Sequence, residues 1–122
     1  MQEVFIYNLT HPQVRPIKAY HCSSFFCRLR GLAFRRALQP DYGLLLVQGR
    51  DSRLDAAIHM FFVWMDLTVV WVNSSQEVVD VKLARSWRSI YLPKRPARYV
   101  LELNTVHRKD FTVGDRLRIE KV

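Results

Sequence analysis

The amino-acid sequence predicts a mainly β protein: a single-domain distorted β-barrel or jelly-roll-like sandwich over residues 1–122, with one or two short helices. Three observations predict it. The apolar runs are short and dense in β-branched and aromatic residues. Turn chemistry separates them at close intervals. Only one stretch carries apolar residues at helical spacing. With 122 residues there is room for one core, and a chain of this size buries roughly two-thirds of its unfolded surface.

Glu3 to Tyr7, "EVFIY", reads as the first strand. "LTHPQ" is a turn, and Pro12 and Pro16 hold the next residues extended or at a sheet edge. From a cap at Ser23 or Ser24, "FFCRLRGLAFRRAL" places Phe26, Leu29, Ala33 and Ala37 on one helical face, with Arg28 and Arg35 outward. Gly31 weakens this helix and Pro40 ends it. Gly43 to Gln48 is a short apolar run suited to a buried strand.

The most apolar segment is "IHMFFVWMDLTVVWVN", residues 58–73. A bilayer-spanning helix needs roughly 20 apolar residues and no central acid. This segment is only sixteen residues long and carries Asp66. It reads instead as two strands, Ile58 to Met65 and Leu67 to Val72, apolar on both faces and covered on each. "NSSQE" is a tight turn and "VVDVKLA" continues the meander. Trp87 to Arg98 reads as an exposed loop, and Tyr99 to Leu103 as a strand. Thr105 caps one helical turn, Gly114 provides a left-handed turn position, and "RLRIEKV" closes the chain as a strand.

Nineteen Lys plus Arg against eleven Asp plus Glu give a formal charge of +8. The distribution is uneven. No acid falls between Glu3 and Asp41, a stretch with Arg15, Lys18, Arg28, Arg30, Arg35 and Arg36. None falls between Asp80 and Glu102, which enclose Lys82, Arg85, Arg88, Lys94, Arg95 and Arg98. Such blocks attract anionic small molecules, acidic partners or nucleic acid, or simply form a solvated surface. The opening residues show no secretory signal pattern. Cys22 and Cys27 are then expected as free thiols of a cytoplasmic chain. With His21 they make too thin a ligand set for a metal, and no cofactor motif is visible.

Catalytic signals are sparse. His59 and Asp66 are the candidates for acid–base work, with Asp115 as another carboxylate. The ordinary roles compete: a core histidine bonded to backbone, and an aspartate satisfying turn amides. Cys27 beside Arg28 and Arg30 has the setting for a reactive thiolate, but neighbouring Phe25 and Phe26 favour a buried, inert one. Trp64, Trp71, Trp87 and Tyr91 offer stacking surfaces for nucleobases, although Trp64 and Trp71 lie where core is expected.

The phrases "RLRGLAFRRAL", "YGLLL", "IHMFFVWMDLTVVWVN", "VVDV", "RYVLEL" and "TVGDRL", in that order, resemble the Domain of Unknown Function 192 family. The resemblance runs from about Arg28 to Leu117 and implies a compact, mostly β domain without an assigned cofactor or catalytic residue. His59, Phe61 and the apolar positions follow the family pattern. Asp55, Ala57, Trp64 and Asp66 to Thr68 depart from it, which weakens the case for catalysis.

The function these residues fit best is a non-catalytic binding protein for an anionic small molecule or acidic partner. Arg28, Arg30 and Arg35 on the helix, with Arg88, Lys94 and Arg95 on the late loop, supply the charge. A small hydrolase using His59 with a nearby carboxylate, and a nucleic-acid binder, are the alternatives. No membrane span is expected, and oligomeric state is not readable.

Overall fold

The computed structural model describes residues 2–33 and 38–122. Nine strands dominate it: β1 (Glu3–Asn8), β2 (Ile17–Cys22), β3 (Tyr42–Ser52), β4 (Ile58–His59), β5 (Leu67–Val72), β6 (Val78–Ala84), β7 (Ile90–Tyr91), β8 (Ala97–Leu103) and β9 (Leu117–Lys121). One short helix, α1 (Phe25–Arg30), follows β2, and a single 3-10 turn spans Thr105–His107. Seven strands form a mixed sheet in the order β6-β5-β8-β3-β2-β1-β9, while β4 and β7 pair separately. Only β2 and β3 run parallel, and α1 lies on the crossover between them.

The mainly β expectation therefore holds, with a qualification on shape. The sheet curls until its edges meet at one isolated bridge, Glu77 to Arg116, and does not close into a barrel. Two apolar clusters result, one on each face. Strand β5 shows why: all six of its residues are buried. Leu67, Val69 and Trp71 enter one cluster, whereas Val70 and Val72 enter the other. Side chains alternate along a strand, so a run apolar on both faces needs cover on both.

Several elements differ from the sequence reading. Strand β2, expected to be extended or at an edge, is extended and lies inside the sheet. Pro16 stands just before the strand begins, so it withdraws no donor from the ladder. Ile58 to Met65 is not one strand, since β4 stops at His59. Phe62 takes a left-handed backbone (φ 63°) that breaks the extension. Met60 and Val63 turn inward, but Phe61, Phe62 and Trp64 are exposed, so this half of the apolar segment is not interior sheet.

Helix α1 is short, ending at Gly31 where a break was expected, but it is rotated. Ser24 caps it by accepting from the Cys27 amide, and Gly31 (φ 51°) ends it. Phe26 and Leu29, predicted to face the core, are both exposed. Cys27 points inward instead, bonded to Cys22 at the end of β2. Phe26 and Leu29 then lie about 100° and 200° around the axis from it. The cysteines are thus a disulfide and not free thiols, which also removes the reactive-thiolate reading. Ala37 and Arg35 fall outside the described residues.

Candidate functional site

Glu102 sits at the centre of the sheet. Its β8 backbone pairs with Leu44 of β3 on one side and with Val69 of β5 on the other. Both neighbours belong to the same apolar cluster as Val100, two residues back along β8. A carboxyl therefore projects into a face otherwise built from aliphatic and indole side chains. It is 3% exposed, and burial alone pushes it up to about 7. Water cannot solvate the charged form there, so the proton is held far more tightly than on a surface glutamate.

What surrounds Glu102 is a cavity of about 340 Å³ whose polar wall comes from four segments. Helix α1 provides Arg28, β3 provides Gln48, the segment before β4 provides Asp55, and β4 provides His59. Arg28 points in, contrary to the outward placement expected of it, and its Nη1 donates to Gln48 Oε1 at 2.7 Å. His59 Nε2 lies 2.8 Å from the carbonyl oxygen of Leu29. A carbonyl only accepts, so Nε2 carries a proton, while Nδ1 is buried without a hydrogen-bond partner. Gly31 comes close as well: a Cβ at that position would stand 3.3 Å from Glu102 Oε1.

One feature separates this cavity from an ordinary surface hollow. Among the described residues, four buried side-chain polar atoms lack a hydrogen-bond partner: Arg28 Nε, His59 Nδ1, Thr68 Oγ1 and Glu102 Oε1. Three of the four belong to residues that line this one cavity. An unpaired buried polar atom costs about 1–3 kcal/mol, a cost that water or a ligand in the cavity would offset. A larger hollow of about 760 Å³ lies on the other side of Gly31, around Tyr20, Leu38 and Tyr42. None of the unpaired atoms lines it.

The disulfide fixes this wall. Cys22 is paired with Leu46 of β3, and the bond to Cys27 holds α1 against the sheet just where Arg28 and Leu29 reach the cavity. Closing so short a loop stabilises by about 2 kcal/mol on the chain-entropy account. The Cys22→Ser/Cys27→Ser variant should therefore melt several degrees lower than the oxidised protein and match it in reductant. Identical melting of all three samples would show that the bond carries no stability.

The other predicted site residues are dispersed. Arg30 lines both hollows. Arg88, Lys94 and Arg95 are exposed on the late loop and line neither. Asp66 accepts from the Ser86 amide at 2.8 Å and faces Arg85 at 3.4 Å, the turn role that competes with catalysis. Asp115 is buried elsewhere, bonded to the Asn8 side chain and the Thr112 amide, with His11 at 3.2 Å. Neither aspartate lines the cavity with His59. Glu102, which lines the cavity together with Asp55 and His59, lies within "RYVLEL". Its signal was a lone carboxylate inside a strand of otherwise apolar residues.

The family model described as Uncharacterized ACR, DUF192, matches residues 7–119. A UPF0127 protein of Pyrococcus furiosus is 35% identical over 112 residues, covering 90% of this chain and 93% of its own. A UPF0127 protein of Thermococcus gammatolerans is 42% identical over 94 residues, 75% of this chain. The aligned part spans only 60% of that relative. A crystal structure from Novosphingobium aromaticivorans, of a protein of unknown function, superposes with a TM-score of 0.78 at 17% identity. It covers 95% of this chain and 83% of its own, and shows the fold alone.

Proposed function

The chain belongs to the Domain of Unknown Function 192 family, and we propose that it is a single-domain binding protein for a small anionic molecule held in the Glu102 cavity. One observation supports the reading: Arg28, His59 and Glu102 line one cavity, and each carries a buried polar atom, Nε, Nδ1 and Oε1, without a hydrogen-bond partner. Their chemistry defines the ligand class. Arg28, with Arg30 beside it, suits a carboxylate or phosphate group. His59 Nδ1 and Glu102 Oε1 accept from a hydroxyl or amino group on the same molecule. The volume falls at the lower end of the range for small-molecule sites, roughly 300–1,000 Å³.

The test is a thermal-shift and calorimetric screen of hydroxy acids, amino acids and phosphorylated small molecules. At least one class should raise the melting midpoint of the wild type, and Arg28→Gln and Glu102→Gln should each abolish that rise. A folded protein whose midpoint no compound moves, or a rise that both variants keep, would overturn the reading.

A catalytic reading has one supporting observation. A carboxyl raised to about 7 beside an imidazole in the same cavity has the protonation range of a general acid or base. It replaces the pairing of His59 with Asp66 or Asp115. Turnover of a ligand found in the screen, lost in both Glu102→Gln and His59→Gln, would favour it over binding alone.

No described helix is long and apolar enough to cross a membrane. The Cys22–Cys27 bond suits an oxidising compartment or the interior of a hyperthermophile, where intracellular proteins are also disulfide-rich.

A further inference from the structure

Beside the cavity, and independent of it, lies a face crowded with exposed rings. Phe62, Trp64 and Trp87 are 45%, 51% and 42% exposed, and Phe61 and Ile90 stand beside them. The rings pack on one another: Trp87 meets Phe62 at 4.9 Å and Trp64 at 5.1 Å between centroids, both edge to face. Two chain segments build this face and are tied together. His59 pairs with Ile90, the Met60 amide donates to Ser89 O, and Ser86 Oγ donates to Val63 O.

The backbone is bent to present these rings. Of four non-glycine residues with positive φ among the described residues, three are here: Phe62 (63°), Trp87 (61°) and Ser89 (57°). For a bulky aromatic residue that conformation is strained. Residues held in strained backbone cluster where the strain serves a function. Here its visible effect is to keep large apolar rings on the surface, against their tendency to be buried.

Charge identifies the occupant. The two segments, residues 58–66 and 85–91, contain one acid, Asp66, which is already engaged by Arg85 and the Ser86 amide. Arg88 adjoins Trp87 in sequence, and Arg85 lies two residues before it. Among the described residues the rings project from loops and line neither hollow described above. Projecting Trp and Phe rimmed by arginines match an interface of apolar depth beneath negative headgroups. We propose that this face docks on the surface of an anionic lipid bilayer.

The experiment uses the full chain with vesicles of phosphatidylcholine alone or mixed with phosphatidylglycerol, read by co-sedimentation and tryptophan fluorescence. Binding should be strong only with phosphatidylglycerol, should fall as salt rises, and should shift Trp64 and Trp87 emission to the blue. Trp64→Ser and Trp87→Asn should each weaken it about tenfold, the effect of leaving one large apolar side chain out of the bilayer. Asn tolerates left-handed backbone, so Phe62→Asn should also weaken binding. Arg88→Gln should weaken only the phosphatidylglycerol-dependent part. Absent binding by folded wild type at low salt, or binding that the Trp variants retain, would overturn the proposal. Self-association in sedimentation velocity that these variants abolish, without vesicle binding, would overturn it in favour of a second copy.

Discussion

Replacing Glu102 by Gln is expected to raise stability at pH 8 by about 3 kcal/mol and to change it little at pH 4. The folded carboxyl is raised from 4.5 to about 7. Between those values the folded chain holds a proton that the unfolded chain has released. Unfolding then gives up a proton, so stability falls as pH rises through this window, and the full loss is present above about pH 7. Each unit of displacement corresponds to 1.36 kcal/mol, which sets the magnitude near 3. Gln has nearly the same shape and does not titrate. Denaturant midpoints of the two proteins at pH 4, 6 and 8 check this, because subtracting one series from the other cancels the remaining groups. Parallel curves across the window would show that Glu102 ionises without penalty and that its burial has no energetic consequence.

A loss of that size is large beside a typical domain stability of roughly 5–15 kcal/mol. An aliphatic residue between Leu44 and Val69 would pack there without it. The acid is therefore not a requirement of the fold, and the same proton that sets stability sets what the cavity can bind. Below about pH 7 Glu102 both donates and accepts; above it, a carboxylate repels an anionic ligand unless a donor group of the ligand faces it. Ligand affinity should follow the titration that the stability measurements reveal.

The parts of the fold that were legible in sequence are those decided by local pattern. Leu67 to Val72 announces a strand covered on both faces because apolar residues occupy both sides and Thr68 alone interrupts them. Gly114 (φ 98°) and the Asn73 turn were readable from their chemistry alone. Helix α1 was legible as a helix and illegible in orientation. Six residues make fewer than two turns, too few for apolar spacing to fix a rotation, and a bond to Cys22 set it instead. The site was illegible for a related reason. His59 was visible as a residue type, but its neighbours come from α1, β3 and β8 rather than from Asp66 seven positions on. Long-range pairing of β8 with β3 and β5 brings Glu102 to the cavity, and nothing in local spacing encodes that meeting.

Trp71→Ala is expected to cost about 3–5 kcal/mol, the range for removing a fully buried indole, and to unfold much of the protein at physiological temperature. Trp71 is completely buried in the same cluster as Val69 and Val100. It also does something no aliphatic residue can: its Nε1 donates to the carbonyl oxygen of Ala56 at 2.8 Å, inside the core. That bond ties β5 to the segment leading into β4, three residues before His59. Trp71→Phe separates the two contributions. It keeps most of the apolar volume but leaves the Ala56 carbonyl buried without a donor, at about 1–3 kcal/mol. Denaturant midpoints should rank wild type above Phe and Phe above Ala. Amide exchange over residues 56–60 should quicken in the Phe variant, and ligand affinity in the Glu102 cavity should fall with it. The Glu102 titration should stay in place, because β8 does not depend on this bond. If Trp71→Phe loosened β8 as much as β4, the indole would be a general core residue, and His59 would owe its position to α1 alone.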